Sequence, residues 1–183
     1  MAYRTLAEAS EQEIRLMLSE VDRGAHALPK RLLAMLRALD VQVPAFPVTR
    51  FEHSLQSASR AQRDGRDEEY VVAALLHDIG DELAPYSHGE ICSAIFHPYV
   101  SERICWIIEK HPIFQLFYYA HLVGEDRNAR YQFRNHPWYR DAVEFCAKYD
   151  QNCFDAGYES LPLEVFVPMV DRVFASPRYL AAS

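Results

Sequence analysis

Apolar positions recur at helical spacing along most of the chain. Leu6, Ile14, Met17, Leu18 and Val21 mark a first amphipathic helix, and Leu32, Leu33, Leu36 and Leu39 a second. The most broken region, Ala25 to Pro47, holds Pro29, Pro44 and Pro47 and reads as a short helix followed by a loop. Thr49 can cap a helix that carries Phe51, Leu55, Ala58 and Ala61 and stops at Gly65. Asp67 can cap the next, with Val71, Val72, Ala74, Leu75 and Leu76. That helix ends around His77-Asp78-Ile79-Gly80, where Gly80 suits a C-terminal turn. Ser87-His88-Gly89-Glu90 has the form of a capping box and puts His88 at the first position of a helix that breaks at Pro98. Ser101 starts another, with Ile104, Cys105, Ile107 and Ile108, predicted to end at His111-Pro112. A helix from about Trp138 to Asp150 follows, then one from about Pro162 to Phe174 with proline in its first turn. The aromatic run from Pro112 to Tyr119 has the weakest pattern. No strand is needed and no repeat is visible, so the predicted fold class is all-α.

Composition narrows the class further. Half of the 183 residues are apolar, enough for one substantial core and against disorder. The net charge of −7 argues against a nucleic-acid partner, which needs a basic face, while leaving room for a small anionic substrate in a locally basic cleft. No stretch approaches the apolar length of a membrane span, and the first residues lack a signal-peptide core. Cys92, Cys105, Cys146 and Cys153 form no Cys-x-x-Cys pair and read as reduced, buried thiols. The expectation is a cytoplasmic protein without membrane or nucleic-acid partners. The oligomeric state is left open.

The chemistry lies among eight histidines. The sharpest element is Ala73-Ala74-Leu75-Leu76-His77-Asp78-Ile79-Gly80, an apolar helix ending in adjacent His and Asp. Burying both is costly unless something satisfies them, and a metal satisfies both. Imidazole suits Fe, Mn, Zn or Ni, and the two oxygens of a carboxylate can bridge two ions. His53 lies on the preceding helix, which a short connection through Gly65 makes an antiparallel neighbour. His88 and His111 are predicted to begin one helix and end another. Asp150 ends an apolar helix, where an acid is disfavoured by the helix dipole and metal ligation would account for it.

His53, then His77-Asp78 some two dozen residues later, then a distal Asp150, resembles the HD superfamily of helical metal-binding domains. His88 and His111 resemble the two extra histidines of its dinuclear members. Glu52-His53-Ser54-Leu55-Gln56 and the run from Ala73 to Gly80 resemble its small mixed-valent di-iron oxygenases, which include myo-inositol oxygenase and the enzymes that cleave 2-hydroxyalkylphosphonates. The resemblance implies a single HD-type helical domain over residues 1–183. Its metal core spans about 49–151, with N-terminal helices (1–47) and a C-terminal helix (162–175) packed on it. It implies one iron held by His53, His77, Asp78 and Asp150. A second, bridged by Asp78, is held by His88 and His111.

The departures bear on substrate. The phosphonate-cleaving enzymes have His where this chain has Asp81 and Lys where it has Gln115, and they carry Tyr and Glu in the loop that reads Val43-Pro44-Ala45-Phe46-Pro47 here. Asp81, which follows the His77-Asp78 turn, and Gln56, one turn after His53 on the same helix face, are the candidate catalytic residues. Gln115, Arg127, Arg130 and Lys148 are the candidate substrate contacts, and Phe46, Pro47 and Tyr118 a candidate apolar wall. The first reading is a di-iron oxygenase, Fe(II)/Fe(III), that takes O2 and a small hydroxylated substrate. Asp81 beside a phosphonate would repel it, which favours a polyol or an amino alcohol. The alternative is an HD-type phosphohydrolase acting on a phosphoester or nucleotide with Mn or another divalent metal; a third is a non-catalytic metal-binding protein.

Overall fold

A computed structural model describes residues 3–179 and contains helices and turns only among them. We number the α-helices in chain order: α1 (Glu11–His26), α2 (Leu28–Ala38), α3 (Arg50–Arg63), α4 (Glu68–Leu76), α5 (His88–Phe96), α6 (Glu102–Tyr119), α7 (Tyr139–Phe145) and α8 (Leu163–Val173). A π-helical turn, Cys146–Asp150, continues α7. The predicted all-α class is the one observed.

The central element is α4, buried throughout from Tyr70 to Leu76. Its apolar residues point in all directions, as suits a helix enclosed on every side. Asp67 accepts the Tyr70 N–H at its start, as predicted. α3 begins with a full capping box between Thr49 and Glu52 and turns back onto α4 through Gly65, whose φ of 71° requires glycine. α8 lays Phe166 and Val170 onto the core against α4 and α2. α5 and α6 form the other major pair.

Five expectations change. Pro112 does not end α6, which runs through it to Tyr119. The carbonyl that Pro112 cannot engage, Ile108 O, is taken instead by His111 Nδ1 at 2.6 Å, so the missing backbone bond is replaced by a side chain. Ser87 precedes α5 but forms no cap: its ψ of 26° is not the extended conformation that aims a hydroxyl at the first turn. Gly80 has no positive φ; it is needed for space, because a Cβ there would stand 3.0 Å from His88 O and 3.3 Å from Cys92 Sγ. The helix predicted to reach Asp150 ends as α-helix at Phe145 and finishes in the wider π turn. Lastly, α1 forms with its capping box but buries no residue, leaving Leu16, Leu18 and Val21 exposed.

Among the glycines, Gly89 makes the closest approach, between α5 and α6. A Cβ there would lie 2.8 Å from Glu109 O and 2.9 Å from Ile108 O, both backbone atoms. Gly89→Ala is expected to force the helices apart and to destabilise the protein by about 1–3 kcal/mol. Urea unfolding measures this; an unchanged midpoint would show that the pair separates freely.

Candidate metal centre

Four imidazoles enter one buried space from four elements: His53 from α3, His77 from the C-terminal end of α4, His88 from the first residue of α5 and His111 from the middle of α6. Each ring is fixed in the same way. Nδ1 lies 3.1 Å from Cys153 O in His53, 2.8 Å from Ala74 O in His77, 3.1 Å from Pro85 O in His88 and 2.6 Å from Ile108 O in His111. A carbonyl oxygen only accepts, so Nδ1 carries the proton in each ring and the Nε2 lone pair faces inward.

These lone pairs meet in two groups. His53 Nε2 is 3.2 Å from His77 Nε2, and Asp150 Oδ1 is 3.5 and 4.0 Å from them. His88 Nε2 is 3.2 Å from His111 Nε2. Asp78 stands between the groups. Its Oδ2 is 3.6 Å from His53 and 3.4 Å from His77, and its Oδ1 is 3.5 Å from His88 and 3.2 Å from His111. His53, His77 and Asp150 form one cluster with ligand atoms within 4.8 Å of each other, and His77, Asp78 and His111 another.

The residues fit a pair of metal ions. Two Nε2 acceptors facing each other at 3.2 Å form no hydrogen bond when both rings are protonated at Nδ1, and a cation between them removes the repulsion. Asp150 is fully buried and its Oδ2 has no partner among the described residues. Electrostatics agree. Burial, with His77 beside it, lowers His53 to about 4 and keeps it neutral as a ligand. Burial raises Asp150 to about 6. At Asp78 burial works in the same sense, but His77, His111 and His53 outweigh it and hold the carboxyl well below its ordinary value.

The π turn serves this arrangement. Gln151 N–H bonds Cys146 O at 3.0 Å, and the wider turn carries Asp150 into the cluster. One face of α3 then fastens the segment after it. Gln56 Nε2 donates to Asp155 O at 2.9 Å, Arg60 donates to Asn152 O at 3.1 Å, and Ser59 Oγ accepts from Leu161 N–H at 2.8 Å. This presents Phe154, whose ring centroid is 4.6 Å from that of His53.

The other candidates divide. Asp81 reaches the site, with Oδ1 3.6 Å from His88 Nδ1, and pairs on its other side with Arg50. Gln115 donates to Asp150 Oδ1 at 2.7 Å. Gln56, one turn beyond His53, does not face the metal space: both ends of its amide are used by Asp155. Arg127 and Arg130 lie over the Phe117 ring, 4.3 and 3.5 Å from its centre, and neither lines the cavity over the ligands. Lys148 is exposed and pairs with Glu144 at 2.9 Å. Sequence reasoning missed Arg50 and Phe154. Arg50 had a signal, since it stands three residues before His53 on one helix face. Phe154 had none, because the loop that holds it follows no periodicity.

Above the candidate ligands is a cavity of about 140 Å³ lined by Arg50, His53, Asp78, Asp81, His88, Phe46, Gln115 and Phe154. Those last three also border a wider cavity of about 500 Å³ completed by Tyr118, Tyr119 and Gln151.

Residues 50–130 match the family described as HD domain. The match includes five of the six candidate ligands, and Asp150 is brought in by the π turn beyond it. Over 34 residues the chain is 59% identical to [1-hydroxy-2-(trimethylamino)ethyl]phosphonate dioxygenase (glycine-betaine-forming) of Leisingera caerulea; the stretch covers 19% of this chain and 17% of that protein.

Metal content tests the two groups separately. His88→Ala and His111→Ala should each lose one metal and retain the other, and Asp78→Ala should lose both; mass spectrometry decides, and equal loss of both metals in every variant would refute separate groups. Protons and metal also compete for Asp150. With its carboxyl at about 6, metal binding should be strongest above that pH and weaken below it, where a proton must first leave. The rise in melting temperature on adding metal should therefore be smaller at about pH 5.5 than at about pH 7.5. A larger rise at the lower pH would contradict the assignment.

Proposed function

We propose that this protein is a non-haem di-iron oxygenase that oxidises a small hydroxylated substrate with O2. The observation that carries the reading is Asp78, with one oxygen turned to each histidine pair inside an HD domain. The partial relative named as a dioxygenase supports it. When bound, an iron pair supplies electron exchange with O2 and a position for the substrate hydroxyl.

The chain's own groups hold and enclose that centre. Gln115 orients Asp150. Asp81 faces the Nδ1 edge of His88 and keeps the Arg50 guanidinium at the cavity. Phe154, over His53, and Phe46 beside it screen the ligands from water. Arg50 also removes the charge objection to an anionic substrate, because Asp81 is paired and not an isolated negative charge. Hydroxyalkylphosphonates with an ammonium group, the class named for the relative, therefore join polyols and amino alcohols as substrates to test. All four cysteines are free and buried, in keeping with a cytoplasmic setting. Among the described residues no helix is long and apolar enough to cross a membrane.

Arg50 also favours a second reading, an HD-type phosphohydrolase, since a cation beside two metals suits a phosphoester. The two readings separate cleanly. Protein loaded with ferrous iron and given reductant should consume O2 when one substrate class is added, and should show a mixed-valent paramagnetic signal. Phosphate release from nucleotides or phosphomonoesters without O2, together with no substrate-dependent O2 uptake, would establish the hydrolase instead.

A further inference from the structure

Away from the metal ligands, two arginines are buried without a counter-charge. The Cζ atoms of Arg127 and Arg130 both lie over the Phe117 ring of α6, 4.3 and 3.5 Å from its centre, so the two cations are close neighbours. Arg130 is only 7% exposed, and Arg127 is half-buried. Neither makes an ion pair among the described residues, and the Nε of each is closed off from water with no acceptor. The adjacent acids do not answer them. Glu125 and Asp126 are exposed, and Asp126 Oδ1 accepts the Asn128 N–H at 2.7 Å. Less buried arginines do have carboxylates: Arg66 pairs with Glu144 and Arg103 with Asp141. A chain of net charge −7 has acids to spare, yet places none here. A ring face offsets part of the cost of burying a cation, but it does nothing against the repulsion between two.

We propose that Arg127 and Arg130 form a second binding site, for a small free oxyanion, separate from the metal centre. Neither residue lines the cavity over the metal ligands or the wider one beside it. A phosphate or a carboxylate offers several acceptor oxygens to two guanidinium forks and supplies the charge that the fold leaves out. One residue links the two sites. Tyr118 is part of the wall of the wider cavity, and burial raises its phenol above the ordinary range; Arg130 lies near enough to the hydroxyl to oppose that rise. An oxyanion that draws on Arg130 therefore changes what holds Tyr118, and occupancy is felt at the cavity wall. The site stands on the uncompensated arginines alone and does not depend on which reaction the metals perform.

Thermal unfolding of metal-loaded protein, freed of excess metal, tests this. Phosphate, sulfate and acetate are each compared with chloride at matched ionic strength. At least one oxyanion should raise the melting temperature saturably, by about 5 °C at a hundredfold excess over its Kd, and the ranking of phosphate against acetate identifies the head group. Arg130→Met should abolish the saturable rise, and Arg127→Gln should weaken binding about tenfold. Arg50→Met, altered in the metal cavity, should keep the rise, which separates this site from binding at the metals. In chloride alone Arg130→Met should melt no lower than the wild type, because it removes a buried cation that has no counter-charge. A stacked arginine with a purely structural role gives the opposite pattern: Arg130→Met melts lower in every salt, and the oxyanions act alike on variant and wild type. That pattern, no saturable rise in the wild type, or a rise lost with Arg50→Met overturns the proposal.

Discussion

Everything in this fold answers to one electrostatic problem: four imidazole lone pairs and two carboxylates are driven into a space from which water is largely excluded. His53, His77, His111 and Asp150 are buried almost completely. Such a group of acceptors is self-repelling, and only positive charge at its centre makes the arrangement favourable. The raised Asp150 and lowered His53 are the same strain expressed as proton affinity. The helices in this sense form a shell around a cluster suited to cations.

The shell meets that demand with the irregular parts of its helices. Each imidazole is oriented by a carbonyl that regular structure leaves available. Ala74 lies in the last turn of α4 and Pro85 in the turn before α5. Ile108 is freed by Pro112, and Cys153 follows the π turn. Breaks that look like defects in a helix thus set ring orientation, which is what a metal ligand needs most.

The same division between local and distant causes decides what is legible in the chain. The candidate ligands are legible because a buried His-Asp pair at the end of an apolar helix carries a desolvation cost that a metal would offset and few side chains can. The core helices are legible because Val71 to Leu76 and Ile104 to Ile108 are strongly patterned. Pro112 reads as a stop because its local cost is plain in sequence, whereas its compensation by His111 requires the fold. The Ser87 motif has capping residues but not capping dihedrals. Gln56 stands at the right spacing for the site, yet its partner lies 99 residues away, beyond any local pattern. Arg50 carries a sequence signal in its spacing from His53, but its pairing with Asp81, brought beside it by the turn after α4, is visible only in the fold.

The fastening of the 152–161 segment to α3 also has a consequence for how the protein comes into being. The partners in it are 92 to 102 positions apart, and the first candidate group joins His53 to Asp150. The second group is compact in the chain, with Asp78 and His111 only 33 positions apart. During synthesis, the residues for the second group are all available while Asp150 has yet to be made. Closing the long loop to the first group carries the greater entropy loss. The two halves of the centre are thus unequal in time as well as in chemistry: one can be assembled from a single stretch of nascent chain, and the other waits for the last third of the sequence to return.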